Sequence, residues 1–366
     1  MNVDYLIVGS GLTGAVIART LADAGREVLV VDRRSHMGGN VHDHAHCSGI
    51  RIHTYGPHYF RTSSDRIWEW ANRFGEFYSY EAAIMSDVRG DLVPWPIQAD
   101  YIRKKVGEAW EPEFAGDPAN LEQAALSLMP RQVYDRFVKE YNEKQWGVPC
   151  TALGPDLCKR FDVRTNGDTR LTPHAKHQGI PVDGYAAWTR RMFDGIPVVM
   201  NYDYLQRRDE ITARKCLVFT GPIDEFFGFD LGRLQYRGQK RHHEYHPNAN
   251  YVQRRGQVNN PLHFGGSHVR TLEWKHMMQP DVANRITGSV VTTETPFSPE
   301  NPSDYEYPFP DDANTRLYAR YRKRSEGIDN LLIAGRLGEY RYFDMDQAIG
   351  RAMMLAGELV GNVCGP

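Results

Sequence analysis

The sequence predicts an α/β fold: a Rossmann-like dinucleotide-binding domain with an inserted helical bundle and an antiparallel β-sheet domain. Three observations support this. A strand, a glycine turn, a helix and a second strand fill the first residues. An apolar strand and a helix stand near the C-terminus, and between them lie a helical stretch and a run of short alternating segments.

The first strand is Val3 to Val8, followed by Gly9-Ser10-Gly11-Leu12-Thr13-Gly14, a helical run to Gly25 and a strand ending in Asp32. Gly9 permits the sharp turn, Gly11 lets backbone approach a pyrophosphate, and Gly14 lets the helix pack closely on the sheet. The phosphates then meet the positive end of the helix. Asp32 stands where a carboxylate would accept hydrogen bonds from an adenosine ribose.

The next residues separate nicotinamide from flavin. After Arg33, a second glycine pair, Gly38-Gly39-Asn40, supplies a turn that can lie against a further portion of a longer cofactor. Near the other end Leu331 to Arg336 reads as a strand closed by Gly-Arg. Asp344-Met345 then opens a helix, with Asp344 as the expected N-cap. Such a helix N-terminus can stabilise negative charge on a reduced flavin ring. FAD is the cofactor these two ends predict. The FAD-binding domain then comprises residues 1–80, 180–232 and 312–366. The helical domain takes 98–165, and the antiparallel sheet, on the substrate side, 81–97 and 233–311.

A net charge of −2 argues against nonspecific binding to nucleic acid or membrane surfaces. Five cysteines (Cys47, Cys150, Cys158, Cys216 and Cys364) form no CxxC pair, which suits a reducing cytoplasm and offers no zinc knuckle. No leader peptide or membrane span is expected, and the protein is read as cytoplasmic.

Gly49 to His53 alternates like a strand and leads into Tyr55-Gly56-Pro57-His58, where His58 reads equally as a satisfied loop residue or as a cofactor or catalytic contact. From Asn120 to Trp146 the chain reads as helical, with Asn120 and Gln123 as a capping pair and Pro130 opening a second helix. There Val133, Phe137 and Tyr141 form a core-type stripe. Arg164 stands in a polar, aperiodic stretch and by composition is a solvated residue. A buried strand is expected at Leu217 to Phe219, and several short strands from Leu234 to about Thr295. His242, His243 and His246 invite a metal reading, but their alternation among Arg and Glu reads as a solvated strand face, and no metal is expected.

Beyond the glycine motif, the segments Tyr55 to His58, Glu143-Lys144-Gln145-Trp146-Gly147, Gln178 to Tyr185, Thr220 to Asp224 and Gly335 to Met345 resemble the UDP-galactopyranose mutase family, in order and over nearly the whole chain. The resemblance implies a redox-neutral isomerase that interconverts pyranose and furanose forms of a nucleotide-linked sugar. It implies reduced FAD, whose N5 forms a covalent adduct with the anomeric carbon. A reductant such as NAD(P)H or a reductase is implied with it, and a homodimer is compatible.

By that resemblance Arg164 and Arg270 grip the substrate pyrophosphate, and Tyr307 and Tyr342 also contact the phosphates. Tyr141 and Trp146 face the sugar and uracil. Arg336, Asp344 and Met345 face the flavin, Arg237 stands near the cofactor, and His58 belongs to the loop beside it. Three departures bear on the sugar: Arg61 replaces a histidine, Thr165 to Arg170 replaces an aromatic, Asn-rich stretch, and His177 replaces a tyrosine. All are expected along the substrate side. They point to UDP-galactopyranose or a close relative, with dTDP-6-deoxygalactose or UDP-N-acetylgalactosamine as alternatives. An FAD-dependent amine oxidase-like oxidoreductase shares the framework, but does not call for the two arginines.

Overall fold

The computed structural model describes residues 1–361; Cys364 lies outside the described residues. Five parallel strands form the first sheet, in the order Val198–Val199, Val28–Val31, Asn2–Val8, Thr212–Phe219, Leu331–Ile333. Leu6, Ile7, Val30 and Val218 have no exposed surface, as a parallel sheet covered on both faces requires. Helix Leu12–Asp23 packs on helix Met345–Gly361. Small residues at their contact, Ala15, Ala18, Ala352 and Ala356, are fully buried and let the two backbones approach.

The helical insert contains Ala99–Val106, Leu121–Leu126, Arg131–Phe137 and Lys139–Trp146. Asn120 accepts from Gln123 N–H while the Gln123 amide accepts from Ala119 N–H, so the expected capping pair is formed. The stripe Val133, Phe137, Tyr141 does not continue as one core face. The helix breaks at Val138, where φ is −110°. Val133 and Phe137 are buried, whereas Tyr141 is turned to a cleft.

A seven-stranded sheet runs in the order Tyr307–Pro308, Tyr236–His246, Ser289–Phe297, Arg270–Glu273, Gln257–Asn259, Ile84–Val88, Asp91–Trp95. Its pairings are antiparallel, apart from the parallel one between Gln257–Asn259 and Ile84–Val88. A smaller antiparallel sheet sets His177–Pro181 between Phe60–Thr62 and Phe77–Ser79. His242 and His243 are exposed, and His243 Nδ1 meets Thr292 Oγ1 at 2.6 Å. Among the described residues no group of three or more His, Cys, Asp or Glu is placed to hold a metal ion. No described helix is long and apolar enough to cross a membrane.

Candidate active site

Two cavities meet inside the molecule. The first lies over the glycine turn and has a volume of about 1190 Å³ with its open mouth included. Gly9, Gly11, Asp32, Arg33, Gly38, Gly39 and Asn40 line it. Gly9 has φ +107°, and a Cβ there would fall 2.0 Å from Thr220 Oγ1. Gly38 N–H donates to Ser10 C=O at 3.0 Å, and a Cβ on Gly39 would sit 2.8 Å from Gly11 Cα. The two glycine turns therefore form one backbone cradle. Gly14 backs onto the Gly9 carbonyl, which lets helix Leu12–Asp23 aim its N–H groups at the cradle.

The acidic and basic residues around the cradle have defined tasks. Asp32 Oδ2 accepts from Ser10 N–H at 2.6 Å and Ser10 Oγ–H at 2.7 Å, and Oδ1 accepts from Arg34 N–H. It braces the glycine turn as well as lining the cavity. Arg33 forms two 2.8 Å hydrogen bonds to Glu225. Arg34, unmarked in the sequence reading, donates to Asn40 Oδ1 and lies 4.6 Å over the Tyr55 ring. His58 faces the same cavity, and its Nδ1–H donates to the Gly56 carbonyl at 2.8 Å, leaving Nε2 as an acceptor. Burial, reinforced by His53 and Arg336, pushes the His58 pKa down to about 3, so this imidazole is neutral at pH 7.

Arg237 is not at the cofactor cavity. Its guanidinium donates to the carbonyls of Gln145 and Lys144, at 2.7 and 3.1 Å, and to Ser298 Oγ. It closes the C-terminal end of helix Lys139–Trp146, where carbonyls lack partners. Lys144 serves the same region: Nζ donates to the carbonyls of Asn260, Leu262, Gly266 and His268.

The second cavity is a cleft of about 1890 Å³ with its mouth included. It meets the first along residues 342–345, whose side chains alternate: Phe343 and Met345 face the cofactor cavity, Tyr342 and Asp344 the cleft. The expected Asp344 cap differs in detail. Its carboxylate pairs with Arg61 at 3.0 Å and accepts from Tyr342 O–H, while Gln347 Oε1 reaches back to Asp344 N–H. Arg336 lies 4.7 Å over Tyr342 and 5.8 Å over Tyr307.

One wall of the cleft is a face of the seven-stranded sheet. Arg241 stands opposite Glu294, Glu294 opposite Arg270, Arg270 opposite Asn259, and Asn259 opposite Ser86. Directly opposed residues share a face, so these form one polar row. Arg270 Nε donates to Glu294 Oε2, Arg241 Nε to Glu294 Oε1, and Arg241 binds Glu306 through both terminal nitrogens. Burial works against the Arg270 charge, but Glu294 outweighs it and holds the pKa above the ordinary value. Glu294 is fully buried; despite that, Arg270 and Arg241 keep its pKa below the usual range. Gly56 touches this network, since a Cβ there would fall 2.7 Å from Glu294 Oε1. Sequence reasoning found Arg270 but missed Arg241, Glu294 and Glu306.

Tyr141, Trp146, Arg164, Tyr307 and Tyr342 line the same cleft as Arg270. Burial pushes the Tyr307 phenol up to about 12, so it remains a donor. Arg164 is engaged by its own loop, pairing with Asp162 at 2.6 Å and donating to the carbonyls of Asp168 and Arg170. Of the three departures, Arg61 lines the cleft. Thr165 to Arg170 borders a shallow neighbouring depression with Arg164. His177 is not on the substrate side: it stacks on Trp68 at 5.0 Å and pairs with Asp65.

Residues 7–74 match the model of an NAD(P)-binding Rossmann-like domain, and residues 136–342 that of UDP-galactopyranose mutase. The chain is 31% identical to a probable UDP-galactopyranose mutase of Klebsiella pneumoniae, over 99% of this chain and 96% of that one. It is 28% identical to the dTDP-fucopyranose mutase of Escherichia coli, over 98% of each. Its fold superposes on a crystal structure of reduced UDP-galactopyranose mutase with a TM-score of 0.78, at 15% identity, covering 99% of this chain and 94% of that one. A putrescine oxidase shares the fold at a TM-score of 0.61 and 10% identity, covering 99% of both chains. A glycine-lined cavity beside an arginine-anchored cleft, with mutase relatives aligned over nearly the whole chain, makes this chain an isomerase. It belongs to the UDP-galactopyranose mutase family.

Proposed function

We propose that this protein interconverts the pyranose and furanose forms of a nucleotide-linked sugar, UDP-galactopyranose or a close relative, with FAD as cofactor. The observation that carries the reading is Arg270, held charged by buried Glu294 on the cleft wall next to the cofactor cavity. A guanidinium fixed in this way gives paired hydrogen bonds to a diphosphate without having to be ordered on binding.

FAD fits the residues present: the glycine cradle takes a pyrophosphate and leaves no room for a Cβ at Gly9, Gly14, Gly38 or Gly39, Asp32 is the ribose candidate, and Arg336, His58 and Met345 line the same cavity. When bound and reduced, it supplies a nucleophilic N5 for the anomeric carbon, with no net redox change. The protein's own contribution is positional. Arg270 and Tyr307 hold the diphosphate as it departs and returns, and Arg164 adds a second cation once released from its loop carbonyls. Trp146 stands in the cleft wall and is backed by Phe309, with the two rings 5.9 Å apart. Held in this way, the leaving group stays within reach for reattachment. The electron donor on this reading is NAD(P)H or a reductase.

The test is a panel of UDP-galactopyranose, dTDP-fucopyranose and UDP-N-acetylgalactosamine, incubated with dithionite-reduced holoenzyme and separated by chromatography. Furanose product formed only by reduced enzyme, without consumption of reductant, supports the reading. Stoichiometric oxidation of a substrate sinks it.

A further inference from the structure

Among the described residues, the cleft wall holds one buried side-chain polar atom with no partner. Gln239 is 7% exposed, and its Nε2–H donates to Gln145 Oε1 at 2.9 Å. Its Oε1 is buried and accepts nothing. An unsatisfied carbonyl of this kind destabilises the unliganded protein. Both glutamines line the cleft.

Gln239 stands two residues before Arg241 on strand Tyr236–His246, and so on the same face as the polar row. That strand lies between the Arg270 side of the sheet and Tyr307–Pro308 at its edge. Tyr307 in turn carries Arg336, which lines the cofactor cavity. The strand order therefore puts Gln239 on the cofactor side of Arg270. The nucleoside, on the other side of the diphosphate, belongs toward Asn259 and Ser86.

Resting on the functional reading above, we infer that Gln239 is a specificity-determining residue, whose Oε1 accepts a hydrogen bond from a neutral donor on the sugar ring, a hydroxyl or an amide N–H. Gln145 engages the carboxamide nitrogen, which leaves the oxygen as the acceptor still to be satisfied. A sugar lacking the donor leaves this buried carbonyl unpaired and is rejected.

The experiment compares wild-type and Gln239→Met holoenzyme, which differ little in side-chain volume, in equilibrium binding of UDP-galactopyranose and of UDP. Gln145→Met, which frees the Gln239 amide, serves as a second variant should the first fail to fold. A loss of about tenfold or more for the nucleotide sugar, with UDP binding unchanged and FAD content intact, is expected. Equal losses for UDP and the nucleotide sugar would put the contact on the nucleotide and overturn the inference, as would no loss for either. If the sugar-selective loss is found but no furanose forms, the functional reading fails while Gln239 stands.

Discussion

Arg61 and Asp344 meet at 3.0 Å where the cofactor cavity gives way to the cleft. The pair joins strand Phe60–Thr62 to the first residue before helix Met345–Gly361, and both partners are about one-third exposed (29% and 33%). Ion pairs open to solvent contribute little to stability, so the consequence is positional. Arg61→His should leave the melting temperature within a few degrees of wild type while changing KM across the nucleotide-sugar panel. A melting temperature lowered by more than about 8 °C would make the pair structural instead.

Glu294 should be indispensable to stability. Glu294→Gln leaves Arg270 and Arg241 buried without their shared carboxylate, a loss on the order of 3 to 5 kcal/mol. Denaturant titration reads this directly. Arg270→Ala should be milder for folding, yet abolish most turnover with FAD still bound; near-normal turnover would remove Arg270 from the diphosphate site. Arg164→Ala should lose activity with no such change in stability.

Gly39→Val should give colourless protein. The new side chain would press on Gly11 Cα, and φ at this position is +58°, so the cradle cannot close around a pyrophosphate. Absorbance at flavin wavelengths after purification decides it: full flavin content contradicts the assignment.

Acid should destabilise the fold earlier than carboxylates alone would. Burial lowers His53 and His58 to about 3 and His42 to about 4, against an ordinary value of 6.5. The unfolded chain takes up these protons first, so stability is full above pH 6.5 and falls as pH drops toward 4. His58→Asn should flatten the slope of unfolding free energy against pH in that window by up to one proton. An unchanged slope would mean that His58 titrates normally.

How far the chain could be read in advance depended on the range of the chemistry. The glycine cradle was legible because Gly9, Gly11 and Asp32 act on their own neighbours. Asn120 and Gln123 were legible for the same reason. The row Arg241, Glu294, Arg270, Asn259, Ser86 was not, because it exists only once distant strands settle into register. Arg237 was assigned by resemblance alone, and the turn at Gly147, at φ +75°, sets the end of a helix against its guanidinium. His177 was misplaced because nothing nearby in sequence announces Trp68 as its stacking partner.

The alternation at residues 342–345 makes one short stretch, running into the start of helix Met345–Gly361, the partition between two compartments. Phe343 and Met345 are bonded directly to Tyr342 and Asp344, so settling of the first pair against a bound cofactor bears on the second pair across the partition. Occupancy of the two compartments is thereby thermodynamically linked. Whatever factor, above or below one, a ligand in one compartment contributes to affinity in the other is returned in full by its partner.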